Sequence, residues 1–424
     1  MKKLKVVLMG AGKRGIGYAD IMAEMPEQFE VIAVAEPIDS RREYIKNLYN
    51  IPENMCFTDY KPLLELGKIA DLAIISTMDR DHFEPAMKAI SLKYDLLLEK
   101  PICPTAEECV AINRAANENG VKVVICTVLR YAPIFLKVKQ IIDSGKLGEI
   151  VSINHEECVG FMHYSHSFVR GNWGNSDQSS GMLLQKSCHD IDLIQWIIGK
   201  KCLKVQSFGS LTHFIRENAP EDSNEYCIDG CPHAENCRYN AVKVYLEDKN
   251  DWLRVTSTKL ANPTDEDVER TIRTTQYGKC IYKCDNNIVD HQTVNMLFED
   301  DVTVTFSMNP FNDTGRNMHI MGTKGSLLIR TRPDKPSFHY DFPSETVTEL
   351  EFASGDDSIV GGHGGGDQGI IKTLYSYLTE GENTGSVPSI EESYYNHVLV
   401  FAAEKSRETN TIVDVEEFLK SFNN

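Results

Sequence analysis

Gly10, Gly12 and Gly15 form a G-x-G-x-x-G run near the start of the chain. The first glycine permits a tight turn, the second lets backbone approach a pyrophosphate, and the third lets a helix pack closely on a strand. N–H groups at the start of the following helix would face the phosphates. Glu36 closes the next apolar run. A carboxylate there accepts hydrogen bonds from ribose hydroxyls and repels a 2′-phosphate. The spacing therefore points to NAD, with NADP less favoured. Arg41 and Arg42 just beyond are read as solvated faces of a helix rather than 2′-phosphate ligands. Two proton-handling candidates follow. Lys100 stands past the end of an apolar run, between Glu99 and Pro101, where ligands gather in doubly wound sheets. His189, whose ordinary pKa lies near working pH, falls on a helical pattern. Gln185 and Lys186 precede it by four and three and share its face.

Cysteines form the other cluster. Cys227, Cys231 and Cys237 give C-x3-C-x5-C, and Cys280 and Cys284 give a second C-x3-C. Three local thiolates plus Cys280, Cys284 or His233 would complete a tetrahedral structural zinc site. An iron–sulfur cluster and plain unbridged thiols are the other readings.

The elements needed to hold these residues are legible. Leu4–Met9, Val31–Ala35, Leu72–Ser76, Asp95–Leu98 and Lys122–Cys126 read as strands. Helical patterns lie at Arg14–Met25, Arg41–Tyr49, His82–Ser91 and Ala106–Asn119. That alternation predicts a parallel sheet covered by helices over residues 1–128. Residues 129–424 read differently. A helix at Ile134–Ser144 precedes extended runs at Glu149–Glu157, Lys204–Ser210, Thr303–Met308 and Ser326–Thr331. They predict an α+β domain with a large, mostly antiparallel open sheet. It carries one helix over Leu183–Ile198, a cysteine-bearing insertion at about 222–240 and C-terminal helices at about 370–407. The 424 residues suffice for two domains with real cores. Lys plus Arg is 44 against 62 Asp plus Glu, a net charge of −18, which argues against nucleic acid or an anionic membrane as partner. The absence of an export signal or a bilayer-length apolar run predicts a cytoplasmic protein.

Glu99-Lys100-Pro101, the Ile75–His82 segment, Arg130-Tyr131 and Cys188-His189-Asp190-Ile191-Asp192, taken with the glycine run, resemble the Gfo/Idh/MocA oxidoreductases. The resemblance covers nearly the whole chain. It implies an N-terminal Rossmann domain, a nicotinamide at the domain junction, and hydride transfer between NAD(P) and a hydroxyl of a sugar, cyclitol or glycoside. Lys100 would stabilise the alkoxide or relay its proton, and His189 would act as general base. Cofactor contacts are expected from Gly10, Gly12, Lys13, Arg14, Gly15, Glu36, Thr77, His82, Glu99 and Lys100. Substrate contacts are expected from Arg130, Tyr131, Gln185 and Lys186, and from an aromatic and polar loop holding His163, His166, Arg170 and Trp173, since sugars pair aromatic faces with fixed donors. His291 and His363 are further candidates. The chain departs from the inositol dehydrogenase pattern at Gln185, where an aspartate is usual. Glutamine cannot take a proton, and Lys186 adds a second cation. Two alternatives accompany the dehydrogenase reading: an NAD-dependent glycosidase working by transient oxidation, elimination, hydration and reduction, and a non-catalytic NAD sensor. Partners are expected to be a small-molecule substrate and further copies of the chain, as a homodimer or homotetramer packed through the large sheet.

Overall fold

In Leu4–Met9 only Lys5 is exposed, and the segment forms β1 at the centre of a six-stranded sheet. Val6 and Leu8 enter one apolar cluster and Val7 and Met9 another, so the sheet is buried on both faces. The computed structural model describes residues 2–260, 262–312, 314–332, 334–352, 364–381 and 386–422. The other strands of this sheet are β2 (Phe29–Ala35), β3 (Cys56–Phe57), β4 (Leu72–Ile75), β5 (Asp95–Leu98) and β6 (Val123–Ile125). Their order is β3-β2-β1-β4-β5-β6, with every pairing parallel. This is the expected Rossmann-like arrangement.

A second sheet has nine strands: β7 (Ile150–Cys158), β8 (Cys202–Ser210), β9 (His291–Phe298), β10 (Thr303–Asn309), β11 (Gly315–Gly322), β12 (Gly325–Arg330), β13 (Ser337–Asp341), β14 (Thr346–Leu350) and β15 (Val413–Asp414). The order is β14-β13-β12-β11-β7-β10-β9-β8-β15. Only β7 and β10 pair in parallel. Along β9 buried and half-buried residues alternate, with Gln292, Val294, Met296 and Phe298 inward. One face is therefore covered, and burying each large apolar side chain is worth roughly 1.5–3 kcal/mol.

Three features differ from the sequence expectation. The helix expected over Leu183–Ile198 is broken into Met182–Gln185 and Cys188–Ile198, with Lys186 and Ser187 in a turn. The insertion spans residues 211–290, because Ser210 and His291 face each other across the β8–β9 ladder. It contains helices Asp251–Thr258 and Asp265–Thr274, packed on their own small core around Val244, Tyr245, Leu253, Val268 and Ile272. The C-terminal helix Gly366–Thr379 returns to the first sheet and adds Ile370, Ile371, Leu374 and Tyr375 to its core. Two glycines allow that approach. A Cβ on Gly366 would stand 2.3 Å from the Val128 carbonyl oxygen, and one on Gly369 2.7 Å from the Tyr131 Cβ. Among the described residues no helix is long and apolar enough to cross a membrane.

Candidate active site

The glycine run lies between β1 and helix Lys13–Ala23. Gly10 has φ +86°, and a Cβ there would stand 2.6 Å from the Ser76 carbonyl oxygen. A Cβ on Gly15 would meet the Gly10 carbonyl oxygen at 2.1 Å. Gly12 faces open space within 4 Å, and it caps the helix without any side-chain acceptor. The first turn also carries no acid. The helix start therefore presents uncapped N–H groups beside an open cradle, which suits an anionic ligand. Buried Glu36 accepts hydrogen bonds from the Ala11 N–H at 2.6 Å and the Ile38 N–H at 3.0 Å. Arg42 is tied to the Glu36 carbonyl and to Asp39. An open cradle, an uncapped helix and a carboxylate at the end of β2 fit a dinucleotide.

Strand ends β4 and β5 meet beside this cradle. His82 bridges them, with Nδ1 2.9 Å from the Pro101 carbonyl oxygen and Nε2 3.3 Å from that of Thr77. The Thr77 hydroxyl donates to the Asp81 carbonyl. Lys100-Pro101 is a cis peptide. Arg14 and Glu99, both expected at the cofactor, are engaged with protein groups. Arg14 pairs with Glu99 at 2.8 Å and with Asp367, and the Tyr18 hydroxyl donates to Glu99. Burial works against Glu99 ionising, yet Arg14 and Lys100 hold its carboxyl below the usual range. The group braces the glycine loop against the C-terminal helix.

Lys100 crosses to the broken helix. Its ammonium donates to the Gln185 carbonyl at 2.7 Å and to Gln185 Oε1 at 3.1 Å. The break explains the first contact. In a continuous helix the Gln185 carbonyl would accept from the N–H four residues on; the turn at Lys186-Ser187 leaves it for the lysine. Gln185 Nε2 in turn donates to buried Asp79 at 2.7 Å, and Ser180 donates to the same oxygen at 3.1 Å. His189 follows in the first turn of Cys188–Ile198 and is buried. Its neighbour Cys188 senses Lys100: burial pushes the thiol up to about 12 while the cation opposes the shift.

Beneath this turn lies a charged network. Lys186 approaches Glu157 at 3.4 Å, Arg316 pairs with Glu157 and, at 2.7 Å, with Asp190, and His155 Nε2 lies 2.7 Å from Asp190. Burial lowers the Lys186 pKa, against the opposing pull of Glu157. Burial alone would raise that of Asp190, but Arg316 and His155 take it below the carboxylate range. His397 on the helix Ile390–Thr409 accepts from the Ile102 N–H at 3.0 Å and so holds the segment after Pro101. Burial lowers its pKa to about 4, keeping the ring neutral and able to accept.

The insertion forms the remaining wall. Trp252 stands edge-on to His163 with centroids 5.5 Å apart, 4.7 Å from His166, and 5.4 Å beneath the Lys13 ammonium. Burial, followed by the Arg14 charge, brings the Lys13 pKa down to about 8. His163 is held well below its usual value by burial and then by Lys186, with Lys100 and Lys13 contributing. Trp252 thus touches both the dinucleotide loop, through Lys13, and His163.

Several residues expected at the substrate have partners within the protein. Arg130 is buried and grips Asp192 through two bonds of 2.7 and 2.8 Å, and Tyr131 packs in the core of the first sheet. His166 is held by the Tyr245 and Thr256 hydroxyls. Arg170 bonds the Tyr239 and Lys279 carbonyls, and Trp173 packs against the large core. His291 is half-exposed and bonded to Asp290 and Ser210. His363 lies outside the described residues. The structural-zinc expectation finds no support. Among the described residues no three His, Cys, Asp or Glu side chains are arranged to hold a metal ion. Cys227, for one, points its thiol at the Lys279 carbonyl, 3.7 Å away.

Residues that sequence reasoning missed include Asp79, Glu157, Trp252, Arg316 and His397. His155 and Glu157 carried a usable signal, since polar residues two apart on a strand share a face.

Comparison with known proteins agrees with this geometry. Residues 4–127 match the model of a family described as an oxidoreductase family with an NAD-binding Rossmann fold, GFO_IDH_MocA. Residues 139–415 match the C-terminal alpha/beta domain of the same family. A Bacillus subtilis protein named as an oxidoreductase, YteT, is 24% identical over 72% of each chain. An inositol 2-dehydrogenase of Salmonella typhimurium is 26% identical over 48% of this chain and 57% of its own. The fold matches a levoglucosan dehydrogenase solved with NADH and levoglucosan at a TM-score of 0.71, with 15% identity, covering 98% of this chain and 100% of the other.

Proposed function

The chain belongs to the Gfo/Idh/MocA oxidoreductase family, and from that premise we propose that it moves a hydride between NAD and a secondary hydroxyl of a sugar or cyclitol. One observation carries the reading: the Lys100 ammonium, beside the dinucleotide cradle, reaches the break in the helix that bears His189. The inositol 2-dehydrogenase likeness supports the substrate class. NAD, when bound, supplies the hydride acceptor. The N–H groups at the start of Lys13–Ala23 would hold its pyrophosphate, and Glu36 its ribose hydroxyls, which favours NAD over NADP.

Lys100 places its ammonium beside the substrate oxygen and stabilises the alkoxide as it develops. His189 takes the hydroxyl proton. Lys186 is a second cation at the same turn and orients a hydroxyl next to the reacting one. Gln185 takes no proton; its amide ties Lys100 to Asp79 and so fixes the ammonium. His163 is neutral and offers a donor and an acceptor beside the Trp252 face. Exposed Phe208, Tyr340 and Val347 on the nine-stranded sheet support self-association through that sheet.

The test is NADH fluorescence from the purified protein with NAD and a panel of sugars, cyclitols and glycosides, with released aglycone assayed in the same wells. NADH with one substrate class and no aglycone is the expected result. Aglycone release without net NADH would move the protein to the redox-glycosidase class. NAD binding with no turnover of any substrate would make it a sensor.

A further inference from the structure

In a chain of net charge −18, the wall at the helix break presents cations toward solvent and keeps its acids behind them. Lys100, from the end of β5, and Lys186, from the break itself, are both half-buried. The carboxylates that touch these lysines or their partners lie deeper. Glu157, Asp190, Asp79 and Glu99 are each no more than 6% exposed. Each is also committed within the protein. Glu157 and Asp190 share Arg316, Asp79 accepts from Gln185 and Ser180, and Glu99 pairs with Arg14.

These acids match the two lysines incompletely. The Lys100 ammonium is bonded to two oxygens of a neutral residue, Gln185. Lys186 has Glu157 at 3.4 Å, and Arg316 shares that carboxylate. Their fields converge on His163. After burial, the charges of Lys186, His166, Lys100 and Lys13 in turn disfavour a proton on its ring. The ring is therefore neutral, and it stands beside Trp252 with centroids 5.5 Å apart. Both rings are half-buried. An aromatic face, a neutral imidazole and two ammonium groups suit a sugar ring that carries an anion. Lys186 gains most from such a ligand, because burial disfavours its charge and an arriving anion favours it. Since Lys186 already leans on Glu157, a singly charged carboxylate fits this wall better than a phosphate dianion.

We propose that the substrate is a sugar acid whose carboxylate is held by Lys186 beside His163, while Lys100 takes the reacting oxygen. An ammonium has three N–H donors. Lys186 can therefore serve Glu157, the hydroxyl next to the reacting one and a carboxylate on the following carbon together. The inference rests on the hydride-transfer reading for where the substrate lies, and it narrows the substrate class from sugars and cyclitols to sugar acids.

Binding is measured by calorimetry on the full chain loaded with NADH, so that an alcohol substrate binds without turning over. The ligands are uronates and aldonates, their neutral parent sugars and the corresponding sugar phosphates. At least one acid should bind about ten- to a hundredfold more tightly than its neutral parent, and the margin should shrink as salt rises. Lys186→Gln should bring that margin within roughly threefold. Glu157 keeps Arg316 in this variant, and thermal unfolding checks that it is folded; the wild-type comparison stands without it. The proposal is overturned if no acid outbinds its parent, if a phosphate outbinds the matching acid, or if folded Lys186→Gln keeps the full margin. The hydride-transfer reading fails separately. Acids that bind tightly but yield no NADH from NAD would sink that reading and leave the carboxylate site standing. Turnover of neutral sugars with no preference for acids would do the reverse.

Discussion

The two halves of the candidate active site are built by different means. On the strand-end side the backbone does the work: three glycines, an uncapped helix start and a carboxylate that accepts two N–H groups. On the helix-break side, buried side chains do it, through Lys186, Glu157, Arg316, Asp190 and His155. A backbone site needs small residues and correct turns. A charged site needs every partner present, because an unpaired buried charge is costly.

That contrast can be broken at its joint. Lys100→Ala should cut kcat by about 10²–10⁴-fold and leave NAD affinity within roughly threefold, if the proposed backbone cradle holds the phosphates. Turnover and cofactor titration measured on the same sample check this; a parallel loss of NAD affinity would mean the two halves are not separable.

The charged side can be tested through stability. Asp190→Asn leaves Arg316 with Glu157 alone and should destabilise the fold by about 3 kcal/mol at neutral pH, read by denaturant unfolding. The sign with pH follows from the depressed folded pKa. The stabilisation from this carboxylate is complete above its unfolded value of about 3.9 and is lost as the pH falls from there through the folded one. The variant should therefore lose less stability than the wild type on acidification below about pH 4. Equal losses would show that Asp190 contributes nothing through its charge.

The smallest effect is expected where the halves meet. Trp252→Ala removes the ring beneath Lys13 and beside His163. A cation–π contact of about 0.5–1 kcal/mol predicts a two- to fivefold rise in KM with kcat little changed. A collapse of kcat would place Trp252 among the groups that orient the reacting atoms.

The same contrast explains what the sequence disclosed. The glycine run, Glu36 and the strand before Lys100 are local patterns, and β1 and β5 lie where apolar periodicity put them. Asp190, Glu157 and Arg316 come from three elements, and no local spacing joins them. The helix break was hidden because Leu183–Ile198 keeps an apolar face throughout, and only the contact with Lys100 gives the break a use. The insertion helices are short and mostly polar, which hides them, although Thr264 and Asp267 form a capping box that marks the second. Arg130 and Arg170 read as ligand-facing cations from sequence, which does not reveal a buried carboxylate or carbonyl partner.

The position of the insertion has an evolutionary consequence. Its two ends, Ser210 and His291, are partners in one ladder, so the sheet needs only that they meet, whatever hangs between them. Closure entropy grows slowly with the length of such a loop. A lineage could exchange the whole segment for a short turn or another module, and so change which molecules enter the pocket, while the nucleotide half and Lys100 stay as they are.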